Sequence, residues 1–99
     1  CIDAMLVSTK VKQKRVEILN LGTDEYINVN DSVSIITSTL GINPERTYSG
    51  GDRGWVGDSP FIFLDCTRIR SLGWSPRYSI RESIIKTVTW LQNNLWVYQ

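Results

Sequence analysis

The feature that most constrains this chain is a pair of helices written out from cap to stop. Asn28 is a good N-cap, and Asp31 sits three residues on, where a carboxylate completes a near capping box. Val29, Val33, Ile36 and Leu40 then recur at i, i+4, i+7 and i+11, one apolar face of a helix. Gly41 is placed to end that helix in the left-handed conformation, and Pro44 blocks continuation. The second helix opens on Ser79-Ile80-Arg81-Glu82, an S-x-x-E capping box. Ile80, Ile84, Val88, Leu91 and Leu95 carry its apolar face, and Asn93-Asn94 marks expected fraying.

Two further helices are read around these. Ile2, Met5, Leu6 and Thr9 fall on one face at helical spacing, with no capping residue ahead of them. A helix without a start carries the expectation of a segment cut from a longer protein, about its last third. Asp65 is placed to cap a helix of about two turns with Ile69 and Leu72 inward. Gly73 ends it, Trp74 folds back over its last turn and Pro76 stops extension.

The stretches between are read as short strands. Val16-Glu17-Ile18-Leu19-Asn20-Leu21 is β-rich and ends at Gly22, and Thr23-Asp24-Glu25 makes a polar turn. Arg46-Thr47-Tyr48 reads as a second strand parallel to the first, and Phe61-Ile62-Phe63-Leu64 as a third strand or a packed extended segment. The expected fold is α/β: a small single domain over residues 1–99, with two or three short strands and about four helices.

Composition narrows the chemistry. The 99 residues are 41% hydrophobic and 21% charged with a net charge of +1, the profile of an ordinary globular domain rather than a disordered one. Two cysteines and no histidine leave too few ligands for a Cys/His zinc site and exclude an imidazole-based triad. Cys1 and Cys66 are 65 positions apart, and without secretory signs the reduced, cytoplasmic reading is favoured over a bridge. No apolar run approaches the roughly 20 residues of a bilayer span. A sequence pI of about 8.0 lies below the range of dedicated nucleic-acid binders.

One segment has the character of a ligand loop: Gly50-Gly51-Asp52-Arg53-Gly54-Trp55-Val56-Gly57-Asp58. Its glycines let the backbone pass close to another group. Arg53 offers a planar fork suited to phosphate oxygens, Trp55 an aromatic face for a sugar or base, and Asp58 an acceptor for a ligand hydroxyl or a brace for Arg53. A mobile surface loop with a routine Arg–Asp pair is the competing reading, and the loop matches neither GxGxxG nor a Walker A sequence. Elsewhere, Asp24 and Glu25 read as a solvated turn, and Trp74, Trp90 and Trp96 as core and surface anchors. Asn20 either aims its amide at a ligand or caps the following turn. No Tyr is followed by Lys four positions on.

In order and spacing, these motifs resemble the C-terminal, substrate-binding part of the extended short-chain dehydrogenase/reductase family, the NAD-dependent nucleotide-sugar epimerases and dehydratases. Cys1 to Met5 looks like the helix after the family's Val-x-Asp segment, Ile18 to Gly22 like its "YNLG" strand, and Asn28 to Gly41 like its "S-V-x-E-L" helix. Gly51 to Asp58 is similar to its Arg-x-Gly-Asp loop, Asp65 to Pro76 to its "LGW-x-P" signature, and Ser79 to Trp90 to its closing helix. The resemblance implies that Arg53 contacts the pyrophosphate of a nucleotide-diphosphate sugar and that Asp58 orients Arg53 and the ribose. One departure stands: many members space these residues as R-x-x-D, and two extra residues intervene here. Trp55 as a ligand contact rests on its own chemistry.

The family's reaction is transient oxidation of a hexose by NAD, followed by epimerisation or elimination. Its cofactor fingerprint and Tyr-x-x-x-Lys base are expected upstream, in an N-terminal Rossmann domain. NAD is therefore implied for the full-length protein and not for these residues, and no catalytic residue is assigned here. Family members often dimerise through helices outside this segment. The competing reading is a stand-alone interaction module that binds protein or nucleic acid through Lys10–Arg15 and the tryptophans.

Overall fold

The computed structural model describes residues 1–10, 16–51, 54, 57, 59 and 61–99. Its elements are α1 (Ile2–Thr9), α2 (Val29–Leu40), α3 (Thr67–Ser71), α4 (Ile80–Asn93) and a closing 3₁₀ turn (Leu95–Tyr98). They fall into two compact units. The first joins Cys1–Tyr26 to Phe63–Ser79, and the second joins Ile27–Ile62 to Ile80–Gln99.

The expected α/β class is not what the chain adopts. Among the described residues none lies in a β-strand, and all the regular structure is helical. Residues 16–21, read as a strand for their β-rich composition, run without regular structure. Val16 and Ile18 face solvent at 94% and 76% exposure, while Leu19 and Leu21 are half-buried. Side-chain hydrogen bonds to and from the α3 region tether this segment where a strand would have a ladder. Arg68 donates to the Ile18 carbonyl at 3.2 Å and pairs with Glu17 at 3.0 Å. The Asn20 amide donates to the Asp65 carbonyl at 3.1 Å. β-rich composition reports fit to a half-buried surface, and that surface is supplied here by a helix.

The first unit closes over a core of Ala4, Cys66 and Ile69, with Leu19, Leu21, Leu72 and Trp74 packed around it. α1 turns its Ala4 side inward, and Ile2, Met5 and Leu6 stay exposed. The small residue lets the helix approach closely, so the face marked by Ile2, Met5, Leu6 and Thr9 is the outer one. Gly22 is needed for a second close approach: a Cβ there would stand 3.2 Å from Cys66 Sγ. Both cysteines are free thiols, Cys1 exposed and Cys66 buried.

α2 and α3 stop in the same way. Gly41 adopts φ 68°, with its N–H on the Ser38 carbonyl and the Ile42 N–H on that of Thr37. Gly73 adopts φ 86°, with its N–H on Arg70 O and the Trp74 N–H on Ile69 O. These are Schellman closures, and both glycines were marked as stops by sequence alone. The second one folds Trp74 back, half-buried, against the core.

In the second unit α2 packs against α4, burying Ile35 and Val88. Of the stripe expected on α2, Val33 and Leu40 are half-buried and Val29 is exposed, while the buried isoleucine is Ile35, one position before the expected Ile36. At the end of α4, the Asn93 and Asn94 amides donate to the Thr89 and Trp90 carbonyls at 2.9 and 2.8 Å, so the expected fraying point is tied down. No helix among the described residues is long and apolar enough to cross a membrane.

Candidate functional site

Arg53, Trp55 and Asp58, the three residues singled out as a ligand site, lie outside the described residues, as do residues 11–15 of the basic turn. What the structure describes is how the chain reaches that segment. Gly50 and Gly51 have φ of 78° and 103°, so both occupy backbone conformations that disfavour a side chain. Immediately before them, residues 46–48, expected as a strand, are instead strapped to α2. The Arg46 guanidinium donates to Ser34 Oγ at 3.1 Å and to Thr37 Oγ1 at 3.2 Å. The Tyr48 hydroxyl donates to Asn30 Oδ1 at 3.1 Å. Sequence reading missed this strap. Its one signal is the polar series Asn30, Ser34 and Thr37, at i, i+4 and i+7 on the helix that carries the apolar stripe.

The other sequence candidates are accounted for in the first unit. Asn20 spends its amide on the Asp65 carbonyl. Asp24 takes a partner, accepting from Arg70 at 2.9 Å, and the Arg70 guanidinium lies 5.6 Å from the centroid of the Trp74 ring. Arg70, held between a carboxylate and an indole face, borders a polar cleft of about 370 Å³ that Asp24, Ser75, Arg77 and Tyr78 help to line. A larger hollow of about 540 Å³ in the second unit is apolar, walled by Ile36, Leu40, Ile84, Val88 and Leu91. It holds no cation for a phosphate. Trp90 and Trp96 meet edge-to-face with centroids 6.4 Å apart, acting as anchors for each other.

The titration of Asp65 is displaced. Hydrogen bonds from the Thr67 hydroxyl, and then from the Thr67 backbone N–H at 2.9 Å, hold its carboxyl below the ordinary carboxylate range against a small opposing desolvation. A folded-state value below the unfolded one, about 3.9, gives stabilisation that is complete above that pH and lost as pH falls through the folded value. In an acid titration followed by NMR, the Thr67 amide is therefore expected to move with a midpoint below about 3.9, and the shift is expected to vanish in Asp65→Asn. A midpoint at or above the ordinary value would contradict this hydrogen bonding.

Comparison with known proteins points to one class, enzymes named for remodelling nucleotide sugars. The chain is 36% identical over 78 residues to a candidate UDP-glucose 4-epimerase of Methanocaldococcus jannaschii, with 79% of the chain and 25% of that protein covered. It is 31% identical over 77 residues to a trifunctional UDP-glucose 4,6-dehydratase, 3,5-epimerase and 4-keto-L-rhamnose reductase of Arabidopsis thaliana, covering 78% of the chain and 11% of that protein. It is 28% identical over 81 residues to a UDP-glucuronate 4-epimerase of Thermodesulfobacterium geofontis, covering 80% of the chain and 24% of that protein. The chain thus spans a quarter or less of the length of these relatives. No protein-family model matches the chain, and no solved structure matches it significantly.

Proposed function

We propose that residues 1–99 are the substrate-binding portion of a nucleotide-sugar epimerase or dehydratase, of the UDP-glucose 4-epimerase kind. The observation that carries the reading is the 36% identity to a relative named for that activity, over 79% of the chain. In this reading Arg53 holds the diphosphate, Asp58 orients Arg53 and the ribose, and Trp55 lies against the sugar or base. Two successive glycines with positive φ lead the backbone into this segment, which suits a close approach to a ligand. In this reading hydride transfer by NAD belongs to a Rossmann domain outside these residues, and these residues supply recognition.

Titration of UDP-glucose into the chain, followed through the amides of Gly50, Gly51, Gly54 and Gly57, tests the reading. Saturable shifts at these glycines are expected, with weak affinity of about 1 mM because part of the gain is spent ordering the segment. Absence of any shift, together with oligonucleotide-induced shifts at Lys10, would replace this reading with the interaction module.

A further inference from the structure

We propose that Arg46 and Tyr48 are positioning residues that lash the chain along α2 and so set where Gly50 and Gly51 present the nucleotide-sugar segment. The proposal rests on the function proposed above for Arg53 and Asp58.

Direction is the first argument. Arg46 reaches Ser34 and Thr37, toward the C-terminal end of α2, while Tyr48 reaches Asn30 in its first turn. The strap therefore runs antiparallel to the helix and delivers the following residues toward the helix start. At 1.5 Å per residue, Asn30 to Thr37 covers about 10 Å of helix axis, a length that residues 46–48 and their two long side chains can span. Directly afterwards, the positive φ values of Gly50 and Gly51 give the backbone a turn that other residues rarely adopt. Strap and turn together define one point of departure.

Arg46 chemistry is the second argument. The hydroxyls that receive its N–H groups are themselves committed: Ser34 Oγ donates to the Asn30 carbonyl at 2.8 Å and Thr37 Oγ1 to the Ser34 carbonyl at 3.2 Å. Each hydroxyl proton is thus pinned to the helix, and its lone pairs are left for the guanidinium. Two acceptors three residues apart on a helix match a rigid planar fork, and a lysine ammonium cannot span them in the same way. Arg46 makes no ion pair among the described residues, so its charge does not explain its placement.

The test uses the 99-residue chain with Arg46→Met, Arg46→Lys and Tyr48→Phe. In the ligand-free protein, the heteronuclear NOE of the Gly50 and Gly51 amides is expected to fall in all three, with α2 helicity and the thermal midpoint nearly unchanged because these bonds are exposed. UDP-glucose affinity is expected to drop about three- to tenfold, the range of one hydrogen bond of ordinary net strength, with the same shifts at saturation. Unchanged order at Gly50 and Gly51 would overturn the proposal whatever the binding data show. Lost order with unchanged affinity would overturn it as well. Full rescue by Arg46→Lys would overturn the fork and make Arg46 a cation acting on the ligand. If the wild-type chain binds no UDP-glucose while the variants still lose order, the strap stands and the proposed function falls.

Discussion

Replacing Ile69 with alanine is expected to lower the thermal midpoint by roughly 10 °C or more. Ile69 is 1% exposed, is the largest fully buried side chain among the described residues and sits in the core with Ala4 and Cys66. Removing three carbons from such a site costs about 2–5 kcal/mol, part of it for the cavity left behind. Collapse into that cavity is restricted on several sides. α1 already contributes its smallest residue, Gly22 already lies against Cys66, and the Schellman turn fixes Trp74 over the same core. A chain of 99 residues has a total stability of order 5–15 kcal/mol, so this one change removes a large share. Ile69→Val, which deletes one methyl group, is expected to cost about 0.5–1.5 kcal/mol. Ile18→Ala, on the exposed side of the tethered segment, is expected to stay within about 0.5 kcal/mol. Differential scanning calorimetry on the three variants checks the order. A midpoint for Ile69→Ala within a degree or two of the parent would mean that the core lies elsewhere.

Arg53→Met is expected to weaken UDP-glucose binding by about 10- to 100-fold while leaving the midpoint unchanged. A guanidinium on a diphosphate makes charge-assisted hydrogen bonds of roughly 1.5–3 kcal/mol, which converts to that range. The effect is local because the chain has a net charge of only +1 and no broad positive field to compensate for one lost cation. Arg53→Lys separates charge from shape: it is expected to recover part of the affinity, since an ammonium is a point charge without the planar fork. Calorimetric titration at low and at physiological salt measures both. Equal affinity in Arg53→Met and the parent would remove Arg53 from the site and return the choice to the other cations of the chain.

Arg53, Trp55 and Asp58 were chosen by chemistry and by resemblance, and their positions lie outside the described residues. The residues that bring the chain to them were not recognised, because Arg46-Thr47-Tyr48 carries the composition of a strand. A strand reading asks only what a segment is made of, whereas the strap depends on acceptors 9 to 18 positions away on α2.

Where α2 begins and where α2 and α3 end was decided locally, so the sequence sufficed. The Asn28 side chain accepts from the Asp31 N–H at 2.8 Å as the near capping box requires, and Gly41 and Gly73 take the left-handed turns expected of them. Each of these features involves residues within one turn of each other, and its chemistry is complete in the string of letters. Tertiary structure alone decided which face of α1 is buried and what holds residues 16–21. A helix with apolar residues on two sides has no local preference between them, and an extended segment takes whichever partner reaches its backbone first. In this chain the Arg68 side chain holds the Ile18 carbonyl across 50 positions of sequence, and the segment's own Asn20 amide holds the Asp65 carbonyl across 45.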